Sequence, residues 1–177
     1  QGDGVKADDA EAVRWYRLAA DQGNTHAQVQ LATLYETGRG VQANLAEMGK
    51  WYRRAGEQGD AEGQFNLGIM YAIGKGVATN TEKTVKWFRL AANQGHVGAQ
   101  WRLGAMYDLG RGVEIDYVEA AKFYRKAAEQ GNADAQTSLG VMYANGSGVP
   151  ADSVEAVKWL RRAAKQGSAA AQGVLGA

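Results

Sequence analysis

The sequence predicts an all-α solenoid of 36-residue helix–turn–helix units, and three observations carry that prediction. First, Gln-Gly pairs end at Gly23, Gly59, Gly95, Gly131 and Gly167, a 36-residue period without an insertion. Strict self-similarity at such a period marks a repeat array. Second, the register holds at many positions at once. Gln28, Gln64, Gln100, Gln136 and Gln172 share one position, and Leu31, Leu67, Leu103, Leu139 and Leu175 another. So do Tyr35, Tyr71, Tyr107 and Tyr143, and the aromatic series Trp15, Trp51, Trp87, Phe123 and Trp159. Third, helical spacing alternates with Gly-x-Gly turns, from Gly2/Gly4 to Gly146/Gly148, each followed by valine from Val5 to Val149, and no strand pattern interrupts it.

The first helix of each unit is legible from Ala27, Leu31, Leu34 and Tyr35, whose spacing of three to four puts one stripe on one face. Its copies begin at Asn24, Asp60, His96, Asn132 and Ser168. All but His96 read as good N-caps. The second helix starts behind Asp8, Asn44, Asn80, Asp116 or Asp152, each able to accept from the free N–H groups of the first turn. Glu11, Glu47, Glu119 and Glu155 stand three residues on and suggest capping boxes, with Lys83 the departure. The helix ends at glycines such as Gly23, suited to a left-handed cap. These boundaries give a single repeat domain over 1–177. It comprises a half-repeat 1–23, four repeats at 24–59, 60–95, 96–131 and 132–167, and a half-repeat 168–177.

Composition narrows the function. A net charge of +1 supplies no strong field for nucleic acid or an anionic membrane. No run of about 18 apolar residues is present, so membrane insertion is not expected. The absence of cysteine removes disulfides, thiolate catalysis and thiolate-held metal. His26 and His96 fall at different repeat positions with no companion ligands or nucleophile. No catalytic residues, metal site or cofactor are therefore assigned. The turns Gly38-Arg39-Gly40 and Gly74-Lys75-Gly76 resemble phosphate loops only superficially, because they follow no strand and lack the Gly-Lys-Ser/Thr ending.

Two basic rows run along the second helices: Arg14, Lys50, Lys86, Lys122 and Lys158, and three residues later Arg17, Arg53, Arg89, Arg125 and Arg161. Acids one turn away suit i,i+3 and i,i+4 pairing, so both rows read as a solvated, self-neutralising outer face.

The motifs resemble the Sel-one-like repeat family, a tetratricopeptide-like class. Its first helix carries Ala-x-x-x-Leu-Gly-x-x-Tyr, its turn Gly-x-Gly-Val and its second helix Ala-x-x-Trp-Tyr-x-x-Ala-Ala. Ala135, Leu139, Gly140, Tyr143, Gly146, Gly148, Val149, Ala156, Trp159, Ala163 and Ala164 match this pattern here. Ala32, Met48, Gly56, Gly63, Thr84, Phe88 and Leu160 depart from it. The resemblance implies a right-handed α/α superhelix and a non-enzymatic adaptor that binds a protein or peptide partner in its concave groove.

If first helices line that groove, its variable positions present Val29, Phe65, Ile69, Ile73, Trp101 and Leu109 as candidate partner-binding residues. An apolar strip of this kind suits an extended or helical peptide. The alternative is that Phe65 and Trp101 merely pack between first helices. Two other functions fit the array: a structural spacer in a longer chain, and recognition of peptidoglycan or another envelope polysaccharide by aromatic stacking. The sequence leaves the compartment open, with a periplasmic or secreted bacterial setting favoured over the cytoplasm. It starts and stops inside a repeat, so apolar surface is expected at Trp15 and Leu175, with end-to-end self-association as a consequence.

Overall fold

Asn24, Asp60 and Asn132 each hold a first helix by accepting from the backbone N–H three residues on, as N-caps do. The computed structural model describes residues 9–176; Gly2, Gly4, Val5 and the cap residue Asp8 lie outside the described residues. Within them the chain forms ten α-helices. The first helices are α2 (Thr25–Thr37), α4 (Ala61–Ile73), α6 (Val97–Leu109), α8 (Ala133–Asn145) and α10 (Ala169–Gly176). The second helices are α1 (Asp9–Asp21), α3 (Leu45–Glu57), α5 (Thr81–Asn93), α7 (Tyr117–Glu129) and α9 (Ser153–Lys165).

His96 corrects the sequence reading: its Nδ1 accepts from Ala99 N–H at 3.1 Å, so an imidazole takes the capping role. The capping boxes need a correction too. Asn44, Asp116 and Asp152 do accept from the first turn of the second helix. Their own N–H groups, however, donate to the carbonyls of Tyr35, Tyr107 and Tyr143 at 2.9–3.0 Å. That bond closes the helix–turn–helix and leaves the downstream glutamates free for side-chain partners.

The chain divides into two compact units, Gln1–Trp87 and Phe88–Ala177. In the first, α1 packs on α2, α2 on α3 and α3 on α4, and α2 also touches α4. Its core holds Leu31, Met48, Trp51, Tyr52 and Leu67. In the second, α6 through α10 pack in sequence around Leu103, Tyr124, Ala127, Leu139 and Trp159. Leu31, Leu103 and Leu139 have no exposed surface. Burial of each such side chain contributes about 1.5–3 kcal/mol. The Gly-x-Gly turns are structural: Gly148 has φ +67°, and a Cβ there would collide with the Tyr117 carbonyl at the start of α7.

Candidate functional site

The repeated polar side chains turn out to be internal fastenings. Each buried glutamine near the start of a first helix donates from Nε2 to a carbonyl of the preceding second helix: Gln28 to Ala20 O, Gln100 to Ala92 O and Gln136 to Ala128 O. Its Oε1 accepts from the glutamine that closes the following second helix, in the pairs Gln58–Gln28, Gln130–Gln100 and Gln166–Gln136 at 2.8–2.9 Å. A fully satisfied buried amide of this kind fixes helix spacing.

The two basic rows separate. Lys50, Lys122 and Lys158 pair with the glutamate three residues earlier, as expected. The arginine row is exposed, Arg125 partly so, but its partners are not the acids one turn away. Arg17, Arg53, Arg89 and Arg125 reach the hydroxyls of Tyr35, Tyr71, Tyr107 and Tyr143 on the following first helix. A rigid guanidinium fork on a long stem can span that gap while its stem covers apolar surface. Sequence spacing pointed to local acids because the tyrosines lie 18 residues away.

Among the proposed binding positions, Val29 is a correction. At 6% exposure it belongs to the buried core cluster of the first unit, against which Tyr16 and Ala19 of α1 pack, rather than to an open face. On α4, Phe65 and Ile69 are half-buried and Ile73 is 65% exposed. Their i, i+4, i+8 spacing puts all three on one helix face. On α6, Trp101 is half-buried with the Arg102 guanidinium 5.3 Å from the ring centroid, and Leu109 is 56% exposed.

A polar cluster that the sequence did not disclose accompanies these positions in the first unit. Tyr52 Oη lies 3.2 Å from Thr33 Oγ1 and 3.3 Å from Glu36 Oε2, and Glu36 Oε1 accepts from Lys75 Nζ at 2.6 Å. Burial, reinforced by Glu36 and Glu62, pushes the Tyr52 phenol up to about 12 against the opposing Thr33 bond. In the second unit Tyr124 donates to Asp108 at 3.2 Å, and burial, with the charge of Asp108, likewise raises its phenol. No signal in one repeat foretells these contacts, because they join residues 16 to 39 apart. Among the described residues no group of three His, Cys, Asp or Glu side chains is placed to hold a metal ion, and no helix is long and apolar enough to cross a membrane.

Comparison with known proteins decides the family. The model of the Sel1 repeat matches residues 1–24, 25–60, 61–96, 97–132 and 133–168. The chain belongs to the Sel1 repeat family. Among solved Sel1 structures it is similar to a Sel1 repeat protein from Oxalobacter formigenes, at 40% identity and a TM-score of 0.90, over 95% of this chain and 49% of that one. It is also similar to a protective antigen of uropathogenic Escherichia coli, at 40% identity and a TM-score of 0.91, over 97% and 37% of the two chains. The chain thus spans less than half the length of these two relatives. Helicobacter pylori cysteine rich protein B is a more distant structural neighbour, at 26% identity and a TM-score of 0.58 over 76% and 96%. No curated protein matches.

Proposed function

We propose that this Sel1 repeat chain is a non-enzymatic scaffold that binds a peptide or protein segment along its first-helix faces. Sel1 repeat proteins are in general protein-interaction scaffolds, and one observation supports that use here. Ile73 and Leu109 are largely exposed at the ends of α4 and α6, each aligned with a half-buried aromatic two turns earlier, Phe65 and Trp101. Large apolar side chains that the core does not consume are what a binding surface requires. The aromatics act as anchors and the aliphatic ends extend the contact.

The test is selection of short displayed peptides on the chain, followed by binding to variants. Phe65→Ala with Trp101→Ala should weaken the selected peptides by more than about 1–2 kcal/mol, as for buried aromatic anchors, with helicity unchanged. Greater loss from Lys50→Ala with Lys158→Ala would place recognition on the outer row instead.

We also propose contact between copies. Trp15 of α1 is 64% exposed whereas its counterpart Trp51 is 1% exposed, and Leu175 of α10 is open where Leu139 is fully buried. Sedimentation over a concentration series should show self-association, and a strictly monomeric particle at high concentration would exclude it.

A further inference from the structure

The turn between α6 and α7 carries a surface that no other described repeat reproduces. Leu109 ends α6, Ile115 lies in the turn, and Tyr117 and Val118 open α7; all four are between 46% and 57% exposed. The same four positions hold Thr37, Ala43, Leu45 and Ala46 in the repeat that starts at Asn24. They hold Ile73, Thr79, Thr81 and Glu82 in the next, and Asn145, Ala151, Ser153 and Val154 in the last. The turn forms in every described copy, so its folding does not call for four large apolar residues.

The patch is also held rigidly. Ile115 folds back over Gly110, its Cγ1 at 2.8 Å from where a Cβ would stand. Asp116 fixes the first turn of α7 by accepting from Val118 and Glu119 N–H at 3.0 and 2.9 Å, and its own N–H donates to Tyr107 O. Gly148 of the following turn seats against the Tyr117 carbonyl. A surface fixed before binding loses little entropy when it is covered.

A spare cation sits beside it. Arg111 is exposed, and among the described residues its side chain makes no hydrogen bond or ion pair. Its counterparts are both neutralised: Arg39 meets Asp9 at 2.7 Å and Lys75 meets Glu36 at 2.6 Å. The corresponding positions for Arg111 are Thr81 and Ala72, which carry no charge. Glu114, in the same turn, forms no ion pair with it. An uncompensated guanidinium next to an apolar patch favours a carboxylate arriving with apolar company.

We propose that this edge docks a segment of a partner protein that lays apolar side chains over Leu109, Ile115 and Val118 and brings an Asp or Glu carboxylate to Arg111. This site shares Leu109 with the first-helix face proposed above but neither of its aromatic anchors, so it is tested with those anchors removed. The bait is the full chain carrying Phe65→Ala and Trp101→Ala, and the probe is a library of short displayed peptides. Selected peptides should combine apolar residues with an acid. Adding Ile115→Ser with Val118→Ser should weaken them at least about tenfold without changing helicity or melting. Selection on an Arg111→Glu bait should exchange the acid for Lys or Arg. The proposal is overturned if no peptide is enriched over the Ile115→Ser/Val118→Ser chain, or if the acid preference survives Arg111→Glu. It is overturned equally if these substitutions abolish retention on phosphatidylcholine–phosphatidylglycerol vesicles while no peptide responds, since the edge would then be a lipid surface.

Discussion

In the repeat that starts at Asn24, the side chains near the turn are consumed by polar contacts. Glu36 takes both Tyr52 and Lys75, and Thr33 holds the same tyrosine. In the repeat that starts at His96, Asp108 takes Tyr124, while Leu109, Ile115, Tyr117 and Val118 stand open beside unpaired Arg111. Both repeats share the helix lengths, the buried Gln–Gln bond and the bond from cap N–H to tyrosine carbonyl. The difference teaches that the array separates two tasks. Positions facing a neighbouring helix are held constant by geometry, and those facing outward at the turn are free to become specific.

The comparison breaks most severely at the turn glycines. Gly148→Ala puts a Cβ against the Tyr117 carbonyl at positive φ and should cost roughly 3 kcal/mol or more in urea unfolding, whereas Gly131→Ala, with open space around it at φ +94°, should cost about 1–2 kcal/mol. Equal losses would mean that φ alone, and not the close approach, sets the requirement. Next, Gln136→Leu removes the bonds to the Ala128 carbonyl, which keeps Gly131 N–H, and to the exposed Gln166 amide and should destabilise by about 1–2 kcal/mol.

Arg125→Met removes the bond to Tyr143 and should cost about 1 kcal/mol. Lys158→Met, which loses only an exposed pair with Glu155, should change stability by less than about 0.5 kcal/mol. A reversed order would mean that the arginine–tyrosine bonds add nothing to the stability of this exposed row. The phenols sharpen the contrast through pH. Tyr52 binds its proton more tightly folded than unfolded, so its contribution to stability is complete below about pH 10 and is lost as pH rises towards about 12. Tyr52→Phe should flatten the stability profile over that range. The smallest effect belongs to the turn edge: Leu109→Ser with Ile115→Ser should shift the melting midpoint by no more than an exposed substitution does, within about 0.5 kcal/mol each. A larger loss would make the edge part of the fold.

The sequence by itself determined the array, since a 36-residue period in Gln, Leu, Tyr, Gly and aromatic positions dictates helix lengths, caps and turns through interactions a few residues long. It also placed Ile73 and Leu109 on helix faces that remain open. Tertiary structure decided what those local rules cannot reach. Val29 entered the buried cluster against which Tyr16 and Ala19 of α1 pack. His96 became a cap because its Nδ1 falls at the distance an asparagine oxygen would occupy. The capping glutamates turned to lysines because the cap N–H was already committed to a tyrosine carbonyl. The arginines crossed to tyrosines 18 residues on, and Arg111 was left unpaired where Arg39 and Lys75 each meet an acid. The cap, the glutamate–lysine pairs and the cap N–H bonds are settled within one repeat, whereas the arginine–tyrosine bonds join residues 18 apart and form only when a second helix packs on the next first helix.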